Sequence, residues 1–133
     1  MDTIFHQIVR GEVPAATFYE DDSVIAFLDI FPAYKGQAVV IPKKDPGDYI
    51  FYMNDEEYVQ LMSSSRKVAK ILQDFLKSPR VMMVVEGLQV PYVHVKLYPV
   101  VSEKLPFESQ PGPRANDEEL AELAVKLKES QVL

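Results

Sequence analysis

"VPYVHVKLYPV", residues 90–100, decides how the rest of the chain is read. Val93, Val95 and Leu97 alternate with Tyr92, His94, Lys96 and Tyr98. Successive side chains of a strand point to opposite faces. The segment therefore presents one aliphatic face and one face bearing two phenols, an imidazole and an ammonium. Packing alone does not account for four such groups on a single face.

Working outward, "RVMMVVEG", residues 80–87, is a continuous apolar run ended by Gly87 and reads as a strand buried on both faces. Before it, Asn54 and Glu57 form a capping-box-like pair with acids in the first turn. Tyr58, Leu61, Met62, Val68, Ile71, Leu72, Phe75 and Leu76 then trace a broad apolar helical face that ends near Lys77. Serines 63–65 fall mid-helix and read as helix filling rather than nucleophiles.

Nearer the N-terminus, residues 16–20 and 24–30 are strand-like and separated by the turn signal "DDS", which makes a hairpin. "QAVVIP", 37–42, is a third strand, and "KKDPGD", 43–48, is a turn-rich loop. Ile4, Phe5, Ile8 and Val9 have helical spacing, with Gly11 placed as a C-cap. Past Pro99 the composition shifts. Residues 104–114 look extended, and Asn116 to Val132 is an amphipathic tail helix with Leu120, Leu123, Ala124 and Leu127 on one side. The order is helix, three strands, helix, two strands, helix. Without regular strand–helix alternation, this is an α+β chain with a five-stranded antiparallel sheet.

A chain of 133 residues fits one domain, here residues 1–103, followed by a linker over 104–114 and a helix over 115–133 that docks on its own domain or on a partner subunit. There is no cysteine, so disulfides, thiolate metal sites and cysteine nucleophiles are excluded. The net charge of −6 and the scattered lysines and arginines lack the basic footprint of a protein that binds long nucleic acid. No apolar run is long enough for a bilayer and no leader pattern opens the chain, so a cytoplasmic protein is the expectation.

His94 on its own reads as a surface or interface histidine satisfied by a neighbour rather than as a reactive one. Its polar neighbours, and the tight connection through Gly87, Leu88, Gln89 and Pro91 that can offer backbone N–H groups to an anion, favour function. His6 is the only other histidine, and neither has carboxylates at ligand spacing, so no metal is expected. Lys43 and Lys44 read as a solvated pair, with electrostatic guidance of an anion as the alternative. Asp29 in "AFLDIFP" either caps a turn or accepts hydrogen bonds from ribose hydroxyls.

Taken together, "IFHQIVRGEVPA", "FYEDDSVIAFLDIFP", "VVIPKK", the long helix and "VPYVHVKLYP" resemble, in order, the histidine-triad superfamily of nucleotide hydrolases and transferases. The resemblance is greatest to its nucleotide-binding branch. It implies the five-stranded fold, no cofactor, a two-fold homodimer built from the long helix and the strand over 80–87, and a purine nucleotide or nucleoside phosphoramidate as ligand. It makes His94 the nucleophile and Asp29 the ribose holder, and it places Phe5, Ile8, Phe27, Leu28 and Ile30 around the base. The triad is degenerate: Tyr92 and Lys96 stand where the family has its first and third histidines. With His94 they are expected to line the phosphate end, joined by Gln89. Where relatives often carry a histidine after the "IPKK" segment this chain has Asp45, a candidate to orient the His94 ring.

Three functions follow: a hydrolase acting through a nucleotidyl-histidine, a nucleotide sensor with little or no turnover, and an interaction protein in which His94 is incidental.

Overall fold

The computed structural model describes residues 1–100 and 113–130. Five strands form one antiparallel sheet in the order β1-β2-β3-β5-β4. The elements run α1 (Ile4–Val9), β1 (Thr17–Glu20), β2 (Val24–Leu28), β3 (Ala38–Pro42), α2 (Asp55–Leu76), β4 (Arg80–Val84), β5 (Val95–Val100) and α3 (Asp117–Glu129). A single 3-10 turn, Ile50–Tyr52, precedes α2. The α+β architecture read from the sequence is the one observed.

The alternation along the central strands sorts the core into two layers. Val24 and Ala26 of β2, Ala38 and Val40 of β3, and Val93, Val95 and Leu97 pack with Leu61, Val68 and Leu72 of α2. Ile25, Phe27, Val39, Ile41 and Tyr92 point the other way and pack with Phe5 of α1. The long helix seals the first face. The second is covered by a helix of only six residues, which leaves room beside it for a ligand.

Each helix starts on a satisfied cap. Asn54 Oδ1 accepts from the Glu57 N–H at 2.8 Å. Thr3 and His6 form a reciprocal capping box at the start of α1, which fixes the His6 ring. Ser64 and Ser65 are fully buried on the sheet side of α2, where their small side chains let the helix approach closely. The Ser64 hydroxyl donates to Asp21 Oδ2 at 2.8 Å, tying the β1–β2 turn to the helix.

Several expectations change. The last strand starts at Val95 rather than at 90. The Tyr92 N–H turns back to the Val90 carbonyl and the Val93 N–H goes to the Gly47 carbonyl, so neither is free to join a ladder. The run from 80 is not buried on both faces, because β4 is an edge strand with Met83 exposed. On α2, Ile71 and Phe75 of the apolar face are also exposed. As for the tail, α3 forms on its Asn116 cap, but none of its residues is buried, and Leu120, Leu123 and Leu127 stand about half exposed. The stretch expected to be extended, 104–114, lies outside the described residues except for its last two positions.

Candidate functional site

A cavity of roughly 410 Å³ opens on the α1 side of the sheet, a size usual for small-ligand sites. Its lining is mostly apolar. Ile4, Phe5 and Ile8 come from α1, and Phe27, Leu28, Ile30 and Phe31 from the end of β2 and the loop after it. Its charged and side-chain polar groups are Asp29, Gln89, His94 and Lys96. A second cavity of equal volume lies at the N-terminus of α2, among Asp22, Glu56, Glu57 and Lys44. It contains no imidazole, and its one lysine is paired with Glu57 at 2.9 Å.

His94 sits at the entrance to β5, only 1% exposed, with the Phe5 ring edge-on at 4.8 Å. Its Nδ1 is 2.7 Å from the Tyr92 carbonyl oxygen. A carbonyl can only accept, so Nδ1 carries the proton and the neutral ring keeps its lone pair on Nε2. Burial holds the imidazole below its ordinary pKa; the carbonyl opposes this, and the Lys96 ammonium adds to it. The side chain is thus a neutral, fixed-tautomer base at a cavity wall.

Lys96 is half-buried on the same face, as the alternation requires, two residues on from His94. It is held on the loop side by Gln89 Oε1 at 3.3 Å and by Glu86 Oε1 at 3.2 Å. Glu86 is the residue that the sequence reading missed. Its Oε1 is 3.8 Å from His94 Nε2, and its Oε2 accepts the backbone N–H groups of Leu88 (2.6 Å) and Gln89 (3.3 Å). Burial would raise its pKa, but the Leu88 N–H and the Lys96 charge overcome that and hold it below the ordinary value, as a carboxylate. The loop N–H groups that the sequence offered to an anion therefore already bind one, supplied by the chain itself. Gly87 allows this fold-back: its φ is +64°, and a Cβ there would lie 2.7 Å from the Asp48 carbonyl oxygen.

Asp29 follows β2 immediately, and its carboxylate makes the contacts of a turn cap. Oδ1 accepts from the Phe31 N–H at 2.8 Å, the turn-capping role, and Oδ2 accepts from Gln37 Nε2 at 2.9 Å. Gln37 is buried, and its Oε1 accepts from the Ala33 N–H at 2.6 Å, so it braces the loop that presents Asp29. Each carboxylate oxygen retains acceptor capacity toward the cavity.

Not every expected residue meets there. Tyr92 is buried and points away from the lining: its hydroxyl donates to the Pro42 carbonyl, and burial pushes the phenol up to about 12. Its contribution to His94 comes from its backbone. Asp45 does not orient His94; it accepts from His6 Nε2 at 2.8 Å and caps the Gly47 N–H. His6 in turn stands edge-on to Tyr92 at 4.8 Å, so that pair supports the wall from behind. Ile30 is placed at the rim and is largely exposed, and Leu28 is partly so. Among the described residues, no three metal-ligating side chains come together and no helix is long and apolar enough to cross a membrane.

The HIT domain family model matches residues 10–99. An uncharacterized HIT-like protein of Methanocaldococcus jannaschii is 40% identical over 70 residues, covering 53% of this chain and 54% of its own length. An adenosine 5'-monophosphoramidase of Schizosaccharomyces pombe is 36% identical over 72 residues, covering 54% of this chain and 53% of its own. These matches span about half the length of either relative. The crystal structure of a HIT family member from Bacillus subtilis superposes with a TM-score of 0.85 at 24% identity, covering 100% of this chain and 99% of that one, and so shares the fold. With a family match over most of the ordered core, and with the strand alternation, cavity and buried histidine in place, the chain belongs to the HIT family.

Proposed function

We propose that this protein binds a purine nucleotide in the α1-side cavity and hydrolyses nucleoside phosphoramidates or dinucleotides through a nucleotidyl intermediate on His94. The observation that carries the reading is the His94 ring: its Nδ1–H donates to the Tyr92 carbonyl, and the ring is neutral and set in the cavity wall with its basic edge at Nε2. The activity named for the Schizosaccharomyces relative supports the same class.

In this mechanism Phe5, Ile8, Phe27, Leu28 and Ile30 hold the base, Asp29 accepts from the ribose hydroxyls, and Lys96 with Gln89 faces the phosphate. Nε2 attacks the α-phosphorus, and the bond to the leaving nitrogen or oxygen breaks with its electron pair. The leaving group takes up a proton from solvent, and the water that attacks in the second step returns one. Water then forms the new O–P bond, Nε2–P breaks, and the nucleoside monophosphate leaves with His94 neutral again. Covalent catalysis divides one high barrier into two lower ones. Lys96 offsets charge that builds on the phosphoryl oxygens.

A second reading, a nucleotide sensor with slow or no turnover, rests on two specific features. The Tyr92 hydroxyl is committed to Pro42, and a carboxylate stands beside Nε2. A fluorogenic adenosine phosphoramidate separates the two. Release of fluorophore by the wild type and its loss in His94→Ala is the expected result. Binding without release in both proteins would establish the sensor instead.

A further inference from the structure

Resting on the nucleotide reading above, the inference concerns what kind of phosphoryl group the site accepts. Among the described residues, the structure places one cation, Lys96, and two carboxylates, Glu86 and Asp29, around His94 Nε2. Glu86 is the nearer to the chemistry, with Oε1 3.8 Å from Nε2. That oxygen is buried and accepts no hydrogen bond from any described residue. The Lys96 ammonium, 3.2 Å away, is close enough for an ion pair but off the line that a hydrogen bond needs. The Lys96 charge is thus already compensated before any ligand enters.

We propose that Glu86 makes this site selective for phosphoryl groups carrying a single negative charge, the diesters and amidates of a nucleotide, over the dianionic monophosphate.

A phosphorus within reach of Nε2 brings its two non-bridging oxygens into the neighbourhood of Glu86 Oε1. A diester or amidate distributes one negative charge over those oxygens, and Lys96 can be shared between it and Glu86. A monophosphate above its second pKa of about 6 brings a second charge that no further cation meets. In a partly buried site that repulsion is felt more strongly than in water. The same asymmetry favours turnover, because the substrate is a monoanion and the hydrolysis product is a dianion that the site holds less well. Glu86 is placed by the chain for this position rather than left there by chance: two backbone N–H groups fix Oε2, and Gly87 permits the loop to turn it inward. Against the effect of burial, the Leu88 N–H and Lys96 keep it ionised.

Calorimetry at pH 7.5 with three probes tests this: adenosine, AMP, and the 5'-phosphate methyl ester of AMP, which is a monoanion with a poor leaving group. The expected result is that the wild type binds the methyl ester about tenfold more tightly than AMP, a difference of ~1.4 kcal/mol. Lowering the pH from 7.5 to about 5, below the second phosphate pKa of about 6, makes AMP a monoanion and should shrink the preference. Glu86→Gln keeps an oxygen for the Leu88 N–H and should erase most of the preference by tightening AMP, with adenosine unchanged. A wild type that binds AMP as tightly as the ester overturns the proposal. So does a preference that survives pH 5 or Glu86→Gln, and the pH series decides the matter even if the variant does not fold. If adenosine, AMP and the ester all fail to bind, the nucleotide reading itself is wrong. If they bind without discrimination, only the role of Glu86 is.

Discussion

The Nδ1 of His94 lies 2.7 Å from the carbonyl oxygen of Tyr92, two residues back along the same segment. This contact exists because the chain turns at Val90–Tyr92 before it enters β5, which points the Tyr92 carbonyl at the following imidazole rather than into the sheet. It sets the tautomer, and the burial around it sets the charge.

One consequence is a pH profile. Burial depresses the His94 pKa below its ordinary value of 6.5, with Lys96 adding to the shift, and the reactive form is neutral. Phosphoramidate turnover should therefore be level through neutral pH and fall only below about 6.5. The sign for stability is the same. Protonating a buried imidazole favours the unfolded chain, so His94 costs stability as pH falls below the unfolded-state value. Steady-state rates from pH 5 to 8 check the first point. A rate that climbs through pH 7 to 8 would contradict a depressed pKa.

His94→Ala should abolish turnover and largely spare monophosphate binding, because the nucleophile contributes to attack rather than to ground-state grip. Parallel calorimetry and fluorogenic assays on the variant show whether the two separate. Restoring histidine at Lys96 and Tyr92 tests what limits the chemistry. Lys96→His should raise turnover if the lost histidine is what limits the chemistry, and lower it if the Lys96 charge is what stabilises the transition state. Tyr92→His should instead lower stability, since it removes the hydroxyl that bonds to Pro42 from a buried position.

Much of this was legible in the sequence, for a physical reason. Strand alternation is local, so Val93, Val95 and Leu97 could be assigned to one layer and His94 with Lys96 to the other without coordinates. Asp29, Phe5, Ile8, Phe27, Leu28 and Ile30 could be placed around one site through the resemblance, and they line one cavity. What was hidden depends on loops that fold back. Glu86 read as the end of an apolar strand, and only the turn at Gly87 brings it to His94. Asp45 looked available to His94, but the Thr3–His6 capping box fixes the His6 ring and Asp45 pairs with its Nε2. The phenol of Tyr92 shares the parity of His94 yet lies where the chain has not entered the sheet, so parity did not give its partner.

Asp21 gives a stability prediction away from the site. Burial would raise its pKa, but the Ser23 N–H, the Ser64 and Tyr19 hydroxyls and the Val24 N–H outweigh it and lower the carboxyl from 3.8 to about 2. A depressed folded pKa means stability that is present above about pH 4 and lost as pH falls through about 2. With allowance for solvent screening, the contribution is of order 1–2 kcal/mol. Urea titrations of the wild type and Asp21→Asn should differ by that amount at pH 6 and converge near pH 2. A constant gap across the range would assign the effect to the hydrogen bonds alone.

The exposed edge of β4 and the uncovered apolar residues of α2 give an assembly prediction. Met83, Ile71 and Phe75 belong to adjacent elements, and an unpaired strand edge beside an apolar helix surface is costly for a monomer. A two-fold homodimer that pairs β4 with its copy and covers these side chains is expected, and the exposed Leu120, Leu123 and Leu127 of α3 offer a further surface to the partner. Light scattering at micromolar concentration should give twice the chain mass, and Met83→Lys with Phe75→Glu should give the monomer. Deleting residues 115–133 should lower stability while nucleotide binding persists. A monomeric wild type would remove the dimer.

The last prediction tests the ribose grip. Asp29 is half-buried, with each oxygen already taking one donor, Phe31 N–H on Oδ1 and Gln37 Nε2 on Oδ2. A ribose that donates through both hydroxyls would use the remaining lone pairs, and hydrogen bonds to a charged group contribute ~1.5–3 kcal/mol. AMP or GMP should therefore bind about ten- to a hundredfold more tightly than its 2'-deoxy form, and Asp29→Ala should remove the difference. Gln37→Leu provides the control. It keeps the carboxylate but withdraws the side chain that braces the loop, so overall affinity should fall through misplacement while a ribose preference remains. Equal affinity of the wild type for the ribo and deoxy forms would return Asp29 to a turn cap and nothing more.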